Sequence, residues 1–100
     1  MKKVFLSHPM AGLSDDEILE VRAGAYQWAL ENIGPDIEII DSFLDLGLVH
    51  PLIYIAKSIE LLAQADIILV LPGWEMSKGC KIEVECALLY GKHDIIFMND

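Results

Sequence analysis

Apolar residues in this chain fall into two rhythms that take turns. Short unbroken runs read as buried strands, and longer stretches carry the three-to-four-residue beat of an amphipathic helix. Lys2 to Ser7, with Val4, Phe5 and Leu6 at its centre, is the first predicted strand. A loop, His8-Pro9-Met10-Ala11-Gly12-Leu13, follows it. Ser14-Asp15-Asp16-Glu17 then has the form of a capping box, in which the Ser14 hydroxyl takes the Glu17 amide and the Glu17 carboxylate returns to the Ser14 amide. The helix it opens places Ile18, Val21, Ala25, Trp28 and Ala29 on one face, and Gly34-Pro35 stops it. Ile37 to Asp41 is the second strand.

Ser42 to Val49 reads as a loop able to cover a site. Pro51 suits the first turn of a second helix, running to about Gln64 through Ile55, Ile59, Leu62 and Ala63. Asp66 opens the third strand, Ile67-Ile68-Leu69-Val70-Leu71, which gives way to a Pro72-Gly73 turn and a third helix ending at Gly91. Ile95 to Met98 is the fourth strand. Strict βαβαβαβ alternation predicts a parallel sheet with right-handed crossovers. The shortest consistent architecture is one α/β domain over residues 1–100, a flavodoxin-like or Rossmann-like three-layer sandwich with strand order 2-1-3-4. Ligands of such sheets bind beyond the carboxyl ends of the strands, at the switch point. That places His8–Gly12 and Gly73–Gly79 at one cleft. Asp66 and Asp94 begin strands at the opposite end and read as structural.

At 100 residues the chain has room for a single core. Its 54% apolar and 23% charged residues are those of a globular domain. A formal net charge of −9 argues against nucleic-acid binding and against attraction to anionic membranes. The N-terminus runs straight into a strand, without the apolar stretch of a signal peptide or membrane span. Cys80 and Cys86 lie on one predicted helix and face different ways, fitting neither a C-x-x-C site nor a disulfide framework. Reduced thiols in a cytoplasmic protein are the simplest account. His8, His50 and His93 are scattered and lack second ligands at metal spacing, so no metal is expected, and no other cofactor.

Candidate chemistry concentrates on Glu83. Its neighbour Glu85 points about 200° away on the helix and has Lys81 four residues before it, an ordinary exposed pair. Glu83 instead has Gly79 one turn before it and Ala87 one turn after. Two small residues either leave open volume over the carboxylate or let the helix pack tightly on the sheet. Ser77, Lys78 and Gly79 begin this helix, whose positive end favours an anion such as phosphate, and Lys78 and Lys81 add local cationic charge. Ser77 also suits a plain N-cap. The first helix is less suited to phosphate, because Asp15, Asp16 and Glu17 occupy its positive end. Gly12, Gly73 and Gly79 can bring backbone amides near a ligand. A carboxylate beside an anion site can attack a sugar carbon, hold a ribose hydroxyl or deprotonate water.

The spacing Ser77-x-Gly79-x-x-x-Glu83-x-x-x-Ala87, preceded by Ala65-Asp66-Ile67-Ile68-Leu69-Val70-Leu71-Pro72-Gly73-Trp74, resembles the nucleoside 2-deoxyribosyltransferase-like family. That family includes deoxynucleoside 5′-monophosphate N-glycosidases and many small phage and prophage members. Val4-Phe5-Leu6-Ser7-His8-Pro9-Met10-Ala11-Gly12 resembles its first strand and substrate loop. The resemblance implies that Glu83 is the nucleophile that attacks C1′ of the sugar and expels the base. It implies that Ser77 sits near the 5′ end of the nucleotide, and that Ser7, His8, Met10 and Gly12 line sugar and phosphate. Trp74 is a candidate for stacking on the base or for packing over the core. Phe5 stands where catalytic members often carry Tyr, and His8 where small phage members usually have Gly. Ser58 stands where an Asp often contacts the sugar or the nucleophile. The implied partners are a small-molecule nucleoside or nucleotide and further copies of the chain, in a homodimer or higher homo-oligomer. Two alternatives stay open: a catalytically silent nucleotide-binding protein, and a TIR-like NAD hydrolase, whose opening strand Val4–His8 resembles and which also uses a Glu.

Overall fold

A computed structural model describes residues 1–43, 46, 47, 49–91 and 94–98. His93, and Leu44, Asp45 and Leu48 of the loop expected to cover a site, lie outside the described residues. Four parallel strands, β1 (Lys2–Ser7), β2 (Ile37–Ile39), β3 (Ile67–Val70) and β4 (Asp94–Phe97), form one sheet in the order β2-β1-β3-β4. Among the described residues three α-helices connect them: α1 (Asp15–Asn32), α2 (Pro51–Leu62) and α3 (Lys78–Tyr90). The architecture is flavodoxin-like, as the alternation of elements predicts.

Both faces of the sheet are covered, so the strands read as continuous apolar runs, yet the period of two still sorts them. Val4, Leu6, Ile37, Ile67, Leu69 and Leu71 point to one face and pack with Ala25 and Ala29 of α1. Phe5, Ile68 and Val70 point to the other and pack with Leu62 of α2 and with Val84 and Ala87 of α3. Handedness explains the division. The chain moves from β1 outward to β2, then reverses across the sheet to β3 and β4, so right-handed crossovers put α1 on one face and α2 and α3 on the other. The switch point lies between β1 and β3, and the loops that follow those strands meet there. A Cβ added at Gly73, after β3, would stand 3.5 Å from Pro9 Cγ, after β1.

Helix ends follow local chemistry closely. The capping box at Ser14 forms in both directions: the Glu17 amide donates to Ser14 Oγ at 3.2 Å, and the Ser14 amide donates to Glu17 Oε1 at 3.0 Å. Pro51 occupies the first turn of α2, and His50 caps that helix by accepting from the Leu52 amide through Nδ1 at 3.1 Å. α2 stops at Leu62 rather than Gln64, because the Gln64 and Ala65 amides bond three residues back, to Leu61 and Leu62, and tighten the last turn. α3 ends where Gly91 adopts φ 62° and its amide reaches the Ala87 carbonyl. Asp66 is structural, its Oδ2 accepting from the Lys3 amide at 2.8 Å. One element escapes the sequence pattern, a 3-10 turn over Trp74–Met76 between β3 and α3. No helix among the described residues is long and apolar enough to cross a membrane.

Candidate functional site

β1 ends by sending one side chain to each layer. Ser7 has the parity of Phe5 and points toward α3. His8 has the parity of Leu6 and points toward α1. Each meets a charged group there. Ser7 Oγ donates a 2.7 Å hydrogen bond to Glu83 Oε1, and the bond is buried. His8 Nε2 stands 3.1 Å from Nη1 of Arg22, on α1. A cavity of about 330 Å³ opens between these two pairs, within the range of roughly 300–1,000 Å³ usual for small-molecule sites.

Glu83 is only 8% exposed, and Ser7 behind it is fully buried. Burial pushes the Glu83 carboxyl above the ordinary carboxylate range, while the Ser7 and Ser58 hydroxyls favour the charged form and hold the rise in check. Ser58, on α2, lines the same cavity. Cys80 lines it as well, and burial raises its thiol above the usual range, with the Ser77 and Ser7 hydroxyls opposing the rise and the Glu83 charge adding to it. Burial thus disfavours the thiolate, the nucleophilic form.

The other wall is cationic. Arg22 is half-buried, and its guanidinium donates to Ser42 Oγ at 3.1 Å, to the Ile40 carbonyl at 3.0 Å and to His8. Arginine has no acceptor atom, so His8 Nε2 must be the acceptor of that bond and the ring proton sits on Nδ1, facing the Pro9 carbonyl at 3.3 Å. Burial holds the imidazole below its ordinary pKa, the Pro9 bond opposes that, and the Arg22 charge reinforces it. His8 is thus neutral at pH 7. Burial also lowers Arg22 from its very high starting point, against the charge of the exposed Asp41, and leaves it cationic.

Of the residues singled out in the sequence, His8, Met10, Ser58, Ser77, Gly79 and Glu83 line one cavity, and Ser7 supports it from behind. Three lie elsewhere. Trp74 packs on the core cluster under α2 and α3, with its ring 5.5 Å from that of Phe97. That is the packing role, not the stacking one. Gly12 and Gly73 adopt φ 82° and 88°, and serve the turns in which they stand rather than the cavity wall. Ser77 caps α3, accepting from the Cys80 amide at 3.3 Å, as well as facing the cavity. The pair of small residues around Glu83 divides its duties. Ala87 is core packing, whereas Gly79 borders the cavity, and a Cβ there would meet Ile55 Cδ1 at 3.5 Å. The expected Lys81–Glu85 pair does not close within 4.0 Å; both side chains are exposed and solvated. Neither Lys78 nor Lys81 reaches the cavity.

Arg22 is a cavity-lining residue that the sequence reading did not single out, although a signal was present. Ile18, Arg22, Ala25 and Ala29 recur at spacings of four, three and four, so the one arginine of the chain stands in the buried stripe of α1. Ser42, Phe43 and Tyr54 also line the cavity. Tyr54 Oη accepts from the Leu46 amide at 3.3 Å and donates to the Gly47 carbonyl at 3.1 Å, tying α2 to the segment before it. Among the described residues no group of three or more His, Cys, Asp or Glu is placed to hold a metal ion.

Comparison with known proteins adds one finding. A family model described as a domain of unknown function, DUF4406, matches residues 2–96. The chain belongs to the DUF4406 family. No curated protein and no solved structure matches it. For this DUF4406 domain the match runs from β1 to β4 and includes every residue of the cavity.

Proposed function

We propose that this domain cleaves the N-glycosidic bond of a nucleoside or its 5′-monophosphate, with Glu83 as the nucleophile. One observation carries the reading: a nearly buried carboxylate, held through one oxygen by Ser7, borders a cavity of small-molecule size at the switch point of a parallel sheet. A Glu83 oxygen attacks C1′, and the C1′–N bond breaks with its electron pair leaving on the base, which takes a proton from solvent. Water, or a ring nitrogen of a second base, then attacks C1′ of the glycosyl ester. The attacking group loses a proton to solvent, and the electron pair returns to the Glu83 carboxylate. Ser7 and Ser58 favour the ionised form that attacks. Burial strips water from that carboxylate and strengthens its pull on the positive charge that develops at C1′. The resemblance to the nucleoside 2-deoxyribosyltransferase-like family supports the same assignment, and association into a homodimer or higher oligomer belongs to it.

A second reading is favoured by a specific feature. Ser58 stands beside Glu83 where the resembling family often has Asp, and Glu83 is the only carboxylate among the described residues lining the cavity. A silent nucleotide-binding protein would have this composition. One assay separates the two. Incubation with each nucleoside, deoxynucleoside and 5′-monophosphate is expected to release free base, resolved by chromatography. Glu83→Gln is expected to lower the rate by on the order of 10³-fold or more. Release that survives Glu83→Gln overturns the nucleophile assignment. Tight nucleotide binding without release by the native protein favours the silent reading.

A further inference from the structure

We infer that the α1 wall of the cavity is an anion receptor centred on Arg22, and that it selects a (deoxy)nucleoside 5′-monophosphate over the nucleoside. The identity of the ligand rests on the glycosidic reading of Glu83; the anion preference rests on the wall itself.

The wall holds a cation without neutralising it. Arg22 donates to an imidazole nitrogen, a hydroxyl and a backbone carbonyl, all uncharged. Among the described residues no carboxylate comes within 4.0 Å of it. Asp41 acts on it only at longer range. A half-buried charge held by neutral acceptors has lost hydration, and no counter-ion among the described residues replaces it, so an arriving anion recovers what burial took away. The three acceptors also fix the guanidinium plane. A guanidinium has five N–H donors, three of which are engaged here, leaving two for the paired bonds that suit phosphate oxygens.

Placement argues for the phosphate over the base. Arg22 comes from α1, on one face of the sheet, and Glu83 from α3, on the other, so the two walls face each other across the end of β1. A molecule with C1′ at Glu83 reaches the opposite wall with one of its ends. A neutral base would leave the Arg22 charge uncompensated, whereas a phosphate monoester neutralises it. In a chain of net charge −9, an unneutralised cation facing the cavity is also what allows an anionic substrate to settle there. His8 is a positioning residue in this scheme: neutral, with its Nδ1 proton on Pro9, it can only accept from Arg22 and so orients the guanidinium without competing for the anion.

The test is calorimetric binding to the full chain in low-salt, phosphate-free buffer, pairing each deoxynucleoside with its 5′-monophosphate. Glu83→Gln is used where turnover would interfere. The monophosphate is expected to bind at least about tenfold more tightly, as two charge-assisted bonds imply. Arg22→Gln is expected to bring the ratio near unity, chiefly by weakening the monophosphate, and Arg22→Lys to restore part of it. Should Arg22→Gln fail to fold, competition in the native protein decides, with deoxyribose 5-phosphate expected to displace the nucleotide and deoxyribose not. Equal affinities in the native protein, a preference that survives Arg22→Gln, or no binding of either ligand overturns the inference. Base release from nucleosides without phosphate preference removes the anion receptor and keeps the glycosidase. Arg22-dependent nucleotide binding without release does the reverse.

Discussion

Replacing Ser7 by Ala tests the contact on which the candidate nucleophile depends, and it does so without any knowledge of the substrate. The Ser7 hydroxyl donates to Glu83 Oε1 at 2.7 Å in a nearly dry setting. A buried hydrogen bond to an ionised acceptor contributes roughly 1.5–3 kcal/mol, against about 0.5–1.5 kcal/mol between neutral partners. Ser7→Ala should therefore cost about 2 kcal/mol in the native background and about 1 kcal/mol in a Glu83→Gln background. The coupling between the two positions is then about 1 kcal/mol. Because the Ser7 hydroxyl favours the charged form, Ser7→Ala should also raise the Glu83 carboxyl further.

The sign of the pH dependence follows from the direction of the shift. Burial raises Glu83 in the folded state, so the folded chain holds a proton that the unfolded chain has already released. Its contribution to stability is therefore lost as the pH climbs from the ordinary carboxylate value to the raised one, and is flat above that. Glu83→Gln should flatten this slope, and Ser7→Ala should extend it to higher pH. Urea unfolding of the four proteins at pH 8, repeated across the pH range, measures both effects. A coupling below about 0.4 kcal/mol, the scatter expected of independent sites, or a slope unchanged by Glu83→Gln, would refute this account of the carboxylate.

Two further outcomes follow from the fold. Gly91→Ala places a side chain at φ 62° at the end of α3 and should cost about 1 kcal/mol in the same unfolding assay, since nothing crowds the position and only the left-handed backbone is penalised. Trp74→Leu should leave nucleotide affinity within about twofold, while losing the roughly 0.5–1.5 kcal/mol of its ring contact with Phe97; a large loss of affinity would return Trp74 to the binding surface.

Most of the frame is readable one turn at a time. Ser14 with Glu17, Pro51 and Gly91 mark helix ends because the atoms that satisfy them lie within four residues, and the unbroken Ile67–Leu71 run marks a doubly covered strand. Strict alternation of strands and helices then leaves the right-handed crossovers to set the order of the sheet. Glu83 was legible for the same reason, as one polar position followed one turn later by a core alanine. Arg22 and Trp74 were settled differently. Arg22 lies in the α1 stripe that includes Ala25 and Ala29, and only the seating of α1 over the ends of β1 and β2 brings its guanidinium to His8, Ile40 and Ser42. Trp74 adjoins the cleft in sequence, but the 3-10 turn after β3 swings it against Phe97 of β4. Local hydrogen bonding and side-chain period decide what each segment becomes, whereas the partner of a long polar or aromatic side chain depends on elements far away in sequence, and exists only once they have packed.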